Sequence, residues 1–292
     1  MKNLILLFLS SLLLVAYSQA QSYDKQNHEL GFSVGVANYL GDLAKNNKPW
    51  FFGETQGKAF RPAVGVFYRS NFHKFLSFRA GMNVGQLYGS DALSSIGTGR
   101  EGRNLHFRSN VMDLTMMLEW NILPYKIGHY KHRFTPYIGI GVGGFYFNPK
   151  AKLNGEWVNL QELGTEGQGL IEYPNRTKYS KIALNIPVSF GGKLNVGRNW
   201  AIGMEVQYRH TFTDYIDDVS TVYPNLDYYD NNYITAIAAD ARALSYRGDN
   251  LDTSNLEDKK RGNSDKSDAY FFILFNVSCK LGSNKGYCPS FR

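Results

Sequence analysis

From Leu76 to Tyr88 the chain alternates with a period of two. Leu76, Phe78, Ala80, Met82, Val84, Gln86 and Tyr88 share one face, and Ser77, Arg79, Gly81, Asn83 and Gly85 share the other. The same test sets Met112, Leu114, Met116, Leu118 and Trp120 against Asp113, Thr115 and Glu119. It recurs from Lys181 to Val196, where Ile182, Leu184, Ile186, Val188, Phe190, Leu194 and Val196 oppose Lys181, Asn185, Ser189, Lys193 and Asn195. From Trp200 to Tyr208, Ile202, Met204 and Val206 oppose Gly203, Glu205 and Gln207. An amphipathic helix repeats its apolar positions at three and four residues, so these segments are strands. Less regular versions at Leu30 to Leu40, Pro62 to Asn71, Thr135 to Phe147 and Tyr270 to Leu281 bring the candidate strands to eight.

Several of these exceed the soluble strand of about five or six residues and match the roughly ten residues that a tilted membrane strand needs. Their connections alternate in length. Asn71 to Phe75, Ile122 to His132 and Asn195 to Asn199 are short, whereas Gly41 to Phe60, Gly89 to His106, Asn148 to Lys178 and Thr213 to Asp268 are long. Short periplasmic turns alternating with long external loops are the pattern of outer-membrane barrels. Closure also pairs every backbone N–H and C=O, which hydrocarbon demands. The expected fold is therefore all-β, an eight-stranded antiparallel transmembrane β-barrel in a bacterial outer membrane, with both termini periplasmic. Its width leaves room for side chains only, so Arg69, Arg79, Asp113, Glu119, Lys193, Glu205 and Arg209 are expected to pair across a plugged lumen.

The first residues change the picture by adding export. Lys2, the apolar run Leu4 to Ala16 and the small residues of Ser18-Gln19-Ala20 read as a secretory signal. The expected organisation is a signal peptide at 1–20 and one barrel domain at 21–292. No later stretch is apolar for long enough to form a membrane helix, and a barrel needs none. The 29 glycines, 20 tyrosines and 19 phenylalanines suit a crowded lumen and interfacial aromatic girdles. A formal charge of +7, one less without Lys2, points in an exported chain to anionic lipid head groups or an acidic partner rather than nucleic acid. Cys279 and Cys288 can form a bridge in an oxidising compartment or remain two thiols.

Candidate chemistry is sparse. His210, Asp214, Asp217, Asp218 and Ser220 stand close in sequence at an external rim, where a His beside carboxylates can act as a general base for an outer-membrane hydrolase. A strand end running into a polar loop explains them equally. The same aspartates, with Asp227 and Asp230, offer oxygen ligands to a hard cation, but their spacing matches no EF-hand loop. The turn Pro124 to Arg133 collects Lys126, His129, Lys131, His132 and Arg133, either as a solvated turn or as a docking patch for an acidic periplasmic partner. Phe147 to Gly169 carries Trp157, Val158, Leu160 and Leu163, which would let it fold over the barrel mouth. No cofactor motif occurs, so none is expected.

Six words in order carry a resemblance: NYLGDL (38–43), RPAVGVFYR (61–69), RNLHFRSN (103–110), RFTPYIGIGVGGFYFNPKA (133–151), LGTEGQG (163–169) and FTDYIDDVS (212–220). Together they resemble the PorG-like, DUF6089-like outer-membrane β-barrels of the type IX secretion system, which also supports gliding motility. The resemblance implies a non-enzymatic component that contacts the periplasmic ring of a lipoprotein and its partner and ties it to the membrane. It supplies no list of partner-binding residues, and 235–266 matches nothing in it. A plain stabilising barrel is the remaining alternative.

Overall fold

The computed structural model describes residues 27–44, 59–93, 103–248 and 256–281. The signal at 1–20 and Cys288 lie outside the described residues, so neither the cleavage site nor the bridge to Cys279 is addressed by it.

The chain forms β1 (His28–Leu40), β2 (Arg61–His73), β3 (Leu76–Ser90), β4 (His106–Asn121), β5 (Phe134–Leu153), β6 (Glu156–Asn159), β7 (Ile182–Val196), β8 (Trp200–Thr211) and β9 (Ala269–Leu281). Eight of these pair antiparallel, each with its neighbour in sequence, and β9 returns to β1 in a register running from His28↔Leu281 to Leu40↔Ala269. The sheet is closed. The ninth strand, β6, lies outside the ring and pairs only with the last four residues of β5, Lys150 to Leu153. Here the structure departs from the expected boundaries. β5 runs past Phe147 to Leu153 and β4 starts at His106, because Arg108↔Lys150 through Val111↔Phe147 continue the ladder. The segment Asn148 to Lys178 is thus partly strand rather than loop throughout.

Parity assigns the faces. Leu114, Met116, Trp120, Ile140, Val142, Phe190 and Met204 are exposed outward, although each is a large apolar side chain. On β4 this outward run extends from Met112 to Trp120. At about 3.4 Å per residue and a tilt near 40° it stands roughly 20 Å tall, close to the ~25 Å band of membrane barrels. Trp120, Trp200 and Phe134 mark the edge of this belt beside the short turns, where interfacial aromatics belong. Among the described residues no helix is long and apolar enough to cross a membrane. The strands cross instead.

The interior divides into two halves. Beside the short turns it is polar. Beside the long loops the strands turn Phe107, Phe145, Phe147, Tyr270 and Phe272 inward, and these pack on Leu160, Leu163, Ile216, Val219, Tyr229 and Leu244 from the loops. Among the described residues the loops carry three α-helices, α1 (Leu160–Leu163), α2 (Tyr228–Asn232) and α3 (Thr235–Ser245). Gly164 ends α1 at φ 62°, where a Cβ would sit 2.2 Å from the Gln168 carbonyl oxygen. Only glycine permits that turn.

Candidate functional site

The charged members of the lumen network come from inward positions of six strands, β1 to β4, β7 and β8. Glu119 lies at its centre, fully buried, 2.8 Å from Arg69, 3.0 Å from Lys193 and 3.6 Å from Arg79. Arg69 also pairs with Glu29 at 3.1 Å, and Arg79 with Glu205 at 2.7 Å. Glu205 accepts further hydrogen bonds from Tyr137 at 2.6 Å and Asn276 at 2.8 Å. Above it Arg209 bonds Gln207 at 2.6 Å and Asp113 at 2.7 Å. Four cations meet four anions, so no net charge is left to recruit an ion. Arg69, Arg79, Asp113, Glu119, Lys193, Glu205 and Arg209 are all buried, and each makes an ion pair. The eighth, Glu29, lies one residue before the strand start read from the alternation.

Beside this network, among Arg69, Tyr137 and Lys193, a cavity of about 10 Å³ has room for about one water. A purified sample in a planar bilayer is therefore expected to give no conductance steps; a steady single-channel current from the wild-type chain would refute the plug.

The short-turn end is closed by its longest turn. Tyr125 and Ile127 point inward and are buried against Ala201, with Tyr125 stacked 4.9 Å from the Lys193 ammonium. Asn195 pins the turn by donating to the carbonyls of Lys126 at 2.7 Å and His132 at 3.2 Å, and Tyr125 N–H donates to the Lys74 carbonyl. Gly128 comes so near the next turn that a Cβ would lie 2.3 Å from the Arg198 carbonyl oxygen. Three turns thus merge into one surface carrying Lys74, Lys126, Lys131, Arg133 and Arg198, with Lys280 from β9 beside them. Among the described residues this surface holds no Asp or Glu. His129 and His132 stack at 4.8 Å on it, and Tyr130 stands out at 75% exposure. Desolvation, and then the nearby charges of His132, Lys126 and Lys131, hold His129 below the ordinary histidine range.

The long-loop end is a cap fastened by buried acids. Glu166 accepts the N–H groups of Ser220 at 2.8 Å and Thr221 at 3.1 Å, the Thr221 hydroxyl at 2.6 Å and the Arg261 guanidinium at 3.1 Å. Asp218 takes the Tyr179 hydroxyl at 2.6 Å and the Thr165 hydroxyl, and Arg261 reaches its backbone carbonyl. Asp218 holds φ 65°, a left-handed conformation that Asp tolerates better than most residues. Burial pushes its carboxyl up to about 6, against the lowering pull of Arg261. Arg103 bonds Asp91 at 2.7 Å and the Arg261 carbonyl, which ties the segment before β4 into the same cap. Burial also drives Asp214 up to about 8.

The rim residues do not assemble a hydrolytic site. His210 is exposed on the outer wall against Phe212, while Asp217 and Asp218 are buried in the cap and point to different partners. Asp227 and Asp230 are held together by Arg242. Among the described residues no group of three or more His, Cys, Asp or Glu is arranged to hold a metal ion.

A closed eight-stranded barrel with an apolar belt, a charge-paired lumen and two covered ends is a small membrane-spanning β-barrel protein. The chain belongs to the family described as domain of unknown function DUF6089, which matches residues 4–240. No curated protein matches it significantly. Among solved structures it is similar to Neisserial surface protein A at 9% identity and TM-score 0.40, covering 87% of this chain and 97% of that one. It is also similar to OprG of Pseudomonas aeruginosa, at 9% identity and TM-score 0.39, covering 88% and 98%. The attachment invasion locus protein Ail of Yersinia pestis gives 8% identity and TM-score 0.39, covering 88% and 100%. The fold itself rests on the strand pairing described above.

Proposed function

We propose that this protein is a non-enzymatic outer-membrane anchor whose short-turn end faces the periplasm and docks an acidic face of a periplasmic ring assembly of the type IX secretion and gliding system. The observation that carries this reading is the one-signed surface made by Lys74, Lys126, Lys131, Arg133 and Arg198, with no acid among its described residues. Such a surface steers and orients an acidic partner more than it adds raw affinity. The balanced lumen offers no transport path, and residues 27 and 281 both lie at the short-turn end. The whole-chain resemblance to PorG-like barrels supports the same reading. In it, outer-membrane lipids surround the apolar belt, the ring lipoprotein and its partner are the bound proteins, and nucleic acid plays no part.

Photoreactive residues placed at Lys126, Lys131 and Arg133 in living cells test it. The expected result is capture of the ring subunits at one or more positions, weakened by added salt in isolated membranes. Capture at none of the three, with the barrel correctly assembled, would reduce the patch to a solvated turn.

A further inference from the structure

Tyr39, at the outer end of β1, places its single hydroxyl between two carboxyl oxygens, Asp217 Oδ2 at 2.6 Å and Asp268 Oδ1 at 2.5 Å. A phenol has one proton to give. Two contacts of this length therefore need a second proton, carried by one of the two carboxyls and donated to the tyrosine oxygen. Asp217 and Asp268 are each 1% exposed, so bulk water does not supply the missing donor. Backbone N–H groups occupy other acceptor sites of the two carboxyls: Asp217 accepts Leu43 N–H at 3.2 Å and Val219 N–H at 2.9 Å, and Asp268 accepts Ile216 N–H at 2.9 Å. Gly41 makes the approach possible, since a Cβ there would lie 1.9 Å from the tyrosine oxygen and 2.0 Å from Asp268.

We infer that the external cap is locked to the barrel by this shared proton, and that loss of the proton to solvent unlocks it. Deprotonation takes the pair from one negative charge to two, with a single hydroxyl between them. The other groups that face the pair do not compensate. Asp42, after β1, adds negative charge, Asp214, after β8, is itself pushed up to about 8 by burial and brings no cation, and Arg103, before β4, is already held by Asp91. Burial pushes Asp217 up to about 7 and Asp268 well above the ordinary range, which is the direction expected for a retained proton.

The sign follows from linkage. The folded cap binds this proton more tightly than the open cap, so the lock is fully present in acid and weakens as pH rises through the folded carboxyl's range. For one proton, the opening constant grows up to tenfold per pH unit in that window.

Hydrogen exchange of the full chain in detergent, corrected for intrinsic pH dependence, reads this at the amides of Leu43, Ile216 and Val219 between pH 5 and 8. Asp268→Asn supplies a permanent donor to the tyrosine oxygen in nearly the same shape. Its opening constant is expected to rise less steeply than that of the wild type by up to tenfold per pH unit, while amides of the barrel strands behave alike in both. Equal slopes in the two proteins overturn the inference. Should Asp268→Asn fail to assemble, Asp217→Asn carries the same comparison and the same two outcomes.

Discussion

Replacing Glu119 with leucine is expected to destabilise the barrel by about 3–5 kcal/mol, because it leaves buried cations without their partner. Glu119 serves Arg69, Lys193 and Arg79 at once. Without it Lys193 loses the one ion pair it makes among the described residues, and Arg69 and Arg79 keep one each, with Glu29 and Glu205. Three positive charges would then face two negative ones in a space that admits about one water. Heat-dependent gel mobility in mild detergent measures the loss, and a drop of roughly 10 °C corresponds to the lower end of that range. The outward neighbour Leu118 serves as control, since Leu118→Ala removes a side chain that faces lipid. A Glu119→Leu protein melting within ~2 °C of wild type would show that the network is not what holds the lumen.

The second large effect falls on the cap. Glu166→Leu removes the acceptor of two backbone N–H groups and a hydroxyl and strands the buried Arg261, whose other carboxylate contact is Asp218 at 3.8 Å. A cost of about 2–4 kcal/mol is expected, since charged and unsatisfied groups stay buried. It is local: limited proteolysis should cut within 213–268 while the barrel keeps its folded gel mobility. Adding Arg261→Met is expected to restore part of the protection, because the double change removes both ends of the pair. Unchanged cleavage in Glu166→Leu would mean that the apolar contacts of Leu160, Ile216 and Leu244 suffice alone.

The barrel wall was legible because its two environments differ. Lipid outside and paired charge inside write an alternation, which Met112 to Trp120 follows except at Met117, an apolar residue buried on the inner face. The alternation fails where the strands leave that setting. In β9 the run Tyr270-Phe271-Phe272-Ile273-Leu274 is apolar on both faces because its inner face meets the loop core. No parity test finds the cap in such a run. Glu29 was missed for a simpler reason, since its strand begins with His28 and Glu29, ahead of the first apolar outward position, Leu30. The helix at Thr235–Ser245 left only a weak trace, because much of its buried face is made of small residues, Ala238 and Ala241.

Four of the six words that carry the family resemblance contribute to the cap, while RPAVGVFYR and RFTPYIGIGVGGFYFNPKA lie along β2 and β5. NYLGDL supplies Tyr39, Gly41 and Asp42; RNLHFRSN supplies Arg103 and Phe107; LGTEGQG supplies Thr165 and Glu166; FTDYIDDVS supplies Asp217 and Asp218. Their polar side chains were visible as candidates for chemistry. Their burial, and the partners that occupy them, were not, because those contacts join segments far apart in the chain.

The lumen pairs also bear on how the protein enters its membrane. Arg69 on β2 meets Glu119 on β4, Arg79 on β3 meets Glu205 on β8, and Lys193 on β7 meets Glu119 on β4, so the shorter contact of each arginine and the lysine pair skip the adjacent strand, while Arg69–Glu29 and Arg79–Glu119 join neighbours. A half-inserted sheet would hold unmatched ions near hydrocarbon. Insertion is therefore expected to be concerted, with a rate set by late arrival of β8 rather than by each hairpin in turn.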